Sequence, residues 1–213
     1  MADTPQLIEG FRRFRRRHFS GEGHLYERLR EGQAPSTLVV ACSDSRVDPA
    51  IVLDIDPGDL FVVRNVANLV PPWEGDGGRH GVSAALEFGV RVLGVRNVVV
   101  MGHAKCGGIR ALLEGTRGEF IPQWMSIAAA ARTEVLISSA HLDAEQRERA
   151  LEFASMRLSL RNLAGFPWIR AAVESGALAL HAWYFDRERG ELLAVPADGG
   201  EPEVLCAGDG ATG

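Results

Sequence analysis

Two short stretches of this 213-residue chain hold the side chains with the most chemistry in them. Leu38-Val39-Val40-Ala41 runs out into Cys42-Ser43-Asp44-Ser45-Arg46, and Asn97-Val98-Val99-Val100-Met101-Gly102 runs out into His103-Ala104-Lys105-Cys106-Gly107-Gly108. Thiolate and neutral imidazole are natural ligands of zinc, and the spacing of His103 and Cys106 lets both reach one ion from a single turn. Cys42 has to arrive from a different strand, so the three converge if the two stretches are neighbours. Three protein ligands with no fourth Cys or His nearby is the pattern of an open, catalytic site, whereas closed structural sites usually have four. Taken singly, each residue has an ordinary reading: a small buried hydrophobe for either cysteine, a satisfied strand-end histidine for His103. Their combination with Asp44, Arg46 and the glycine pair is what points to a metal.

Asp44 has two roles open to it, a fourth ligand or an acceptor that orients a metal-bound hydroxide. Arg46, two residues on, projects to the same side in extended backbone, and a guanidinium can hold a carboxylate bidentately. That grip would swing Asp44 away from the metal. Two thiolates cancel the charge of Zn²⁺ and blunt its power to acidify water, which a hydrogen bond to Asp44 would help recover.

Both stretches have the apolar run of a buried strand, and open α/β sheets place their ligand sites at the carboxyl ends of such strands. The remaining pattern predicts strands near 60–65, 177–186 and 191–195. Helices are expected at 5–19, 23–31, 49–54, 80–94, 107–114, 121–139, 143–163 and 166–175. Asp48-Pro49 reads as an N-cap followed by proline at the first helical position. The alternation implies an α/β fold: a mainly parallel central sheet of four strands plus an antiparallel edge strand, helices on both faces, and an N-terminal helical arm. One domain is expected, with the arm at 1–32, the α/β core at 33–196 and a fraying, glycine-rich tail at 197–213.

Composition narrows the function. The chain is 46% apolar and 24% charged, and its net charge of −5 argues against nucleic acid as a partner. There is no apolar run of the ~20 residues that cross a bilayer, and no signal-peptide core, so no membrane partner is expected. Three cysteines are too few for a secreted disulfide framework, which points to a reducing cytoplasm. Cys206, in the tail, reads as an incidental thiol. In the arm, Leu7, Ile8, Phe11, Phe14 and His18 fall at helical spacing among Arg12, Arg13, Arg15, Arg16 and Arg17. The acidic whole favours an amphipathic helix docked on another subunit over a basic arm for nucleic acid or membrane.

Cys42-Ser43-Asp44-Ser45-Arg46 paired with His103-Ala104-Lys105-Cys106-Gly107-Gly108 resembles the β-class carbonic anhydrases, and Arg64-Asn65-Val66-Ala67-Asn68 fits the same family. The resemblance runs from about Gln33 to Asp186. It implies reversible hydration of CO₂ to bicarbonate and a proton, by attack of a hydroxide on a single zinc per chain. It assigns Cys42, His103 and Cys106 to the metal, with Asp44 able to close onto it, and makes Asp44 and Arg46 a catalytic dyad. Within the family the plant-like members are the nearer match. On that basis Gln33 binds substrate or an anion, Phe61, Val66 and Phe88 line an apolar pocket, and Gly107 offers its backbone N–H. Members with an inhibitory bicarbonate site use Trp, Arg and Tyr where this chain has Val39, Arg64 and Phe185, so no such site is expected. The resemblance also implies a homodimer or higher homo-oligomer, with pocket residues supplied across the interface. His24 and His80 could relay a proton by residue type alone, but an ordinary solvent-exposed histidine is the favoured reading of each. Two rival functions remain open from sequence: hydrolysis of COS or CS₂ on the same fold, and a zinc-stabilised binding protein without turnover.

Overall fold

Runs of β-branched and small apolar residues build the centre of the sheet. β1 (Thr37–Cys42), β2 (Leu60–Asn65), β3 (Asn97–His103) and β4 (Ala179–Asp186) are parallel and lie in the order β2-β1-β3-β4. β5 (Glu191–Ala194) pairs antiparallel with β4, as the alternation implies. A sixth strand, β6 (Glu203–Cys206), then pairs antiparallel with β5, inside the stretch expected to be an unstructured tail. All four β6 residues are exposed, so there is no in–out alternation for sequence to reveal.

The computed structural model describes residues 3–19, 25–139 and 141–207. They fall into two compact units, Met1–Ala34 and Pro35–Gly213. The first contains α1 (Thr4–Phe19) and α2 (Leu25–Arg28). Asp3 and Gln6 exchange side-chain to backbone hydrogen bonds that start α1. Tyr26 packs on Phe14 and Phe19 with ring centroids 5.4 and 4.9 Å away. No residue of α1 is buried, and Leu7, Ile8 and Phe11 lie open.

The second unit contains α3 (Pro49–Val52), α4 (Gly81–Glu87), α5 (Gly107–Glu114), α6 (Ile121–Met125), α7 (Ala129–Ser138), α8 (Ala144–Gly165) and α9 (Pro167–Glu174). Asp48 caps α3 through the Ala50 amide, with Pro49 at the first helical position. The helix expected over 80–94 divides into α4 and a π turn at Phe88–Val92. A Cβ on Gly89 would stand 2.4 Å from Leu38 Cδ1, so the glycine is what lets this turn lie against β1. The helix expected over 121–139 is broken by a 3₁₀ turn at Ser126–Ala128 between α6 and α7.

Alternate residues of the central strands serve opposite faces. Leu38, Val40, Val98 and Val100 pack with Leu86 of α4, Met156 and Leu163 of α8, Ile169 of α9, and Phe166 between α8 and α9. Val39, Ala41, Val99 and Met101 pack on the other face with Val52 of α3, Leu60, Trp183 and Phe185. Both faces of β1 and β3 are therefore sealed, which fixes where the two strands end.

Candidate metal centre

β1 and β3 run side by side in register from Thr37↔Asn97 to Ala41↔Met101, so Cys42 and His103 emerge at one end of the sheet. Cys106 returns to the same point from the first residues after β3. The two sulfurs are 3.9 Å apart, and the ligand atoms of Cys42, His103 and Cys106 all lie within 4.8 Å of one another. Two thiolates at the usual ~2.3 Å from a tetrahedral zinc are about 3.8 Å apart, so the spacing fits. The His103 ring Nδ1 donates to the Ala104 carbonyl at 3.0 Å, which leaves Nε2 as the bare lone pair. That nitrogen is buried and has no hydrogen-bond partner. A buried polar atom left so costs about 1–3 kcal/mol, unless a metal takes the lone pair. These three residues could hold a metal.

Backbone amides cradle both sulfurs. Cys42 Sγ accepts from the Asp44 amide at 3.4 Å, and the Ala67 amide near Cys42 and the Gly108 and Ile109 amides near Cys106, at the start of α5, favour the thiolate forms. The Ala67 amide is aimed by a 3₁₀ turn, Val66–Asn68, in which Ala67 and Asn68 take φ of 66° and 46°. Asn65 holds this turn by bonding both polar backbone atoms of Leu69. A Cβ on Gly108 would lie 2.9 Å from Val66 Cγ1 and 3.0 Å from Ala67 Cβ, so only glycine lets α5 begin this close. A hydrogen bond from Cys106, aided by His103 and the two amides and opposed by burial, pulls the Cys42 thiol down to about 4. Cys106 moves up, because it supplies that proton and is buried beside the Cys42 charge. Burial lowers the His103 pKa, but the charge of the neighbouring Cys42 outweighs it and raises the imidazole above its ordinary value.

Asp44 is turned toward Arg46. The guanidinium donates from Nε to Oδ1 at 2.9 Å and from Nη2 to Oδ2 at 2.5 Å, and the Arg46 amide adds a third bond at 2.9 Å. These bonds hold the Asp44 carboxyl below the usual carboxylate range, so it is an acceptor only at neutral pH. The loop is clamped from β2: Arg64 donates to the carbonyls of Cys42 and Asp44 at 2.9 and 2.6 Å and to the Asp48 carboxylate at 2.7 Å.

Of the pocket residues expected from sequence, Val66 and Gly107 stand beside the centre, in the turn under Cys42 and at the first position of α5. Phe61 and Phe88 are brought together elsewhere, stacked with centroids 5.7 Å apart. In the β1–β2 register Phe61 pairs with Leu38 and Asn65 with Cys42. The stack is thus four residues, roughly 13 Å, toward the other end of the strands. Gln33 belongs to the N-terminal unit and is exposed. His24 lies outside the described residues, and His80 Nε2 pairs with Asp76 at 2.8 Å and Glu74 at 3.8 Å. Sequence reasoning missed the clamp role of Arg64, and it missed Glu152, whose buried carboxylate accepts from the Cys106 amide at 2.9 Å. A signal was there: Glu152 shares a helix face with Met156, Leu160 and Leu163, all buried, so it is a charge on an apolar stripe.

Comparison with known proteins bears on the parallel strands of the second unit's sheet. A family model described as carbonic anhydrase matches residues 37–192. Beta carbonic anhydrase 5, chloroplastic, of Arabidopsis thaliana is 42% identical over 186 residues, and the match covers 84% of this chain and 60% of that protein's length. A carbonic anhydrase of Pseudomonas aeruginosa is 39% identical over 194 residues, 89% of this chain and 86% of its own. Among solved structures, the β-carbonic anhydrase CcaA superposes with a TM-score of 0.84 at 35% identity, covering 89% of this chain and 86% of that one. One of two tetrameric β-carbonic anhydrases from Sordaria macrospora gives 0.76 at 27% identity, covering 93% and 94%.

Proposed function

The chain belongs to the β-class carbonic anhydrases, and from that premise we propose that it hydrates CO₂ reversibly to bicarbonate and a proton with one zinc per chain. The observation that supports this most is the pairing of an open three-residue ligand set with a carboxylate held beside it. Two sulfurs and an unpartnered imidazole nitrogen supply the ligands, and Asp44 is gripped by Arg46 rather than joining them. A purely structural site has no use for such a grip.

Cys42, His103 and Cys106 hold the metal, and the Ala104 carbonyl fixes the imidazole with Nε2 toward it. Bound there, zinc supplies Lewis acidity that makes water a nucleophile near neutral pH. Asp44, ionised and already accepting from Arg46, would offer an acceptor that favours a ligand carrying a proton. Arg46 keeps the carboxylate off the metal, and Arg64 keeps the loop that carries both in place. CO₂ has no charge to grip, so it rests on apolar surface, to which the half-exposed Val66 contributes. The Gly107 N–H, at the first turn of α5, suits the bicarbonate that forms.

Phe61 and Phe88 lie too far along the strands to serve the centre of their own chain. A second copy supplies them. Phe88 and Val92 are exposed on the π turn, and α1 buries none of its apolar stripe, so apolar surface is available for a homodimer or larger homo-oligomer. The resemblance alone assigns Gln33 to anion binding. Two reduced thiols 3.9 Å apart call for a reducing compartment, which supports a cytoplasmic location. Among the described residues no helix is long and apolar enough to cross a membrane. The test is to assay CO₂ hydration and COS hydrolysis on the purified full-length chain. CO₂ hydration is expected to dominate; COS hydrolysis with no CO₂ hydration, or neither, would overturn the assignment.

A further inference from the structure

Glu152 is a carboxylate in an apolar place. It is 4% exposed on α8, facing the body of the second unit. The neighbouring cations are taken: Arg149 bonds Asp186, and Arg110 bonds Glu148. No ion pair to Glu152 exists among the described residues. Burying a lone carboxylate costs several kcal/mol, and a leucine there would pack at no such cost. Its two oxygens have one partner each. Oε2 accepts from the Tyr184 hydroxyl at 2.7 Å, and Oε1 accepts from the Cys106 amide at 2.9 Å.

Tyr184 is itself fixed. It is 1% exposed on β4, with its ring edge-on to Phe153 at 4.7 Å. The Cys106 amide follows Lys105, which takes a φ of 55° that side chains disfavour. The chain between His103 and Cys106 therefore bends against its local preference, and a hydrogen bond at its far end holds the bend.

We propose that Glu152 is a positioning residue for the metal centre: braced by Tyr184, its carboxylate holds the Cys106 amide and so fixes the turn that carries Cys106 Sγ to Cys42 Sγ. Glu152 touches neither metal nor substrate and acts only through Cys106. This rests on the reading of Cys42, His103 and Cys106 as metal ligands. Outer-shell partners of metal ligands commonly matter by ~10–100-fold in metal affinity.

The test uses the full-length chain with cobalt(II) in place of zinc, reading affinity by chelator competition and the thiolate-to-cobalt charge-transfer absorption. Glu152→Ala is expected to weaken binding by ~10–100-fold and to change that absorption. Glu152→Gln keeps an oxygen for the amide and is expected to restore both. Wild-type affinity and spectrum in Glu152→Ala would overturn the proposal, as would a loss in Glu152→Gln as large as that in Glu152→Ala. Should Glu152→Ala not fold, Tyr184→Phe decides, since it removes only the hydroxyl brace. Weaker binding and a shifted spectrum support the proposal, and unchanged values overturn it. A wild-type chain that binds neither cobalt nor zinc would instead remove the metal-centre reading beneath it.

Discussion

Replacing Gly108 by alanine tests how tightly the centre is built. The added methyl would lie 2.9 Å from Val66 Cγ1, 3.0 Å from Ala67 Cβ and 3.5 Å from the Ala67 nitrogen. Carbon atoms rest about 3.5–4.0 Å apart, so Ala67 and the start of α5 must separate by roughly 0.5–1 Å. Ala67 cannot simply rotate away, because its φ of 66° is already in the left-handed region and Asn65 pins the turn. Two effects compete. Alanine is the better helix former by about 0.8–1.0 kcal/mol in a helix interior, but Gly108 sits in the first turn, where less of that is realised. Overpacking costs about 1–3 kcal/mol and wins. The expected fall in melting temperature is roughly 2–12 °C for a chain of this size. The larger effect is on rate. The movement draws the Ala67 amide from the Cys42 sulfur and shifts Val66, and a misplacement near 1 Å can cost ~10²-fold in turnover. Stopped-flow CO₂ hydration with thermal melts on the variant measures both. Wild-type rate and stability together would refute the reasoning.

Arg46→Ala is expected to keep zinc near one per chain while losing turnover by ~10²-fold or more, because Asp44 is freed to compete for the metal; metal analysis with the hydration assay checks this. Stripping zinc with a chelator should lower the melting temperature by roughly 5–11 °C, measured against protein in about 100-fold excess of free zinc over Kd. Acidification below the ordinary carboxylate range should destabilise the fold. Asp44 is held down by Arg46, and Asp186, despite its burial, is held down by Arg149. Their stabilisation is present above about pH 4 and lost as pH falls through the lower folded values. Glu152, raised by burial, has the opposite sign: its cost sets in as pH rises above the ordinary carboxylate value. Urea midpoints that do not fall between about pH 4 and about pH 2 would contradict this. Since Asp44 stays ionised between about pH 5 and about pH 8, a rise in hydration rate with pH over that span must originate at the metal centre, and the same rise should appear in rate profiles measured in different buffers.

The site was legible where chemistry falls at strand ends. Cys42 and His103 each close an apolar run, and parallel strands of six and seven residues that start in register deliver such ends to nearly one level. Asp44 and Arg46 were legible because two residues of extended chain point the same way. Partners that depend on distant packing were not. Arg64 reads as one more strand residue until the register puts it across from Ala41, next to the loop it clamps. Glu152 hides in a charged stretch, Glu145–Glu152, whose first turns are a solvated surface. Phe61 and Phe88 show the reverse: their types were readable, but only the register with Leu38 puts them at the wrong end for their own centre. β6 has no buried face, so its sequence has nothing to distinguish it from a loop.

Zinc titrated into metal-stripped protein, with CO₂ hydration followed at each addition, tests the account most directly. The rate should climb linearly and break at one zinc per chain, and the Cys42→Ala protein should stay at the uncatalysed background throughout. A rate that is unchanged by stripping the metal, or that stays at background when zinc is restored, would contradict it.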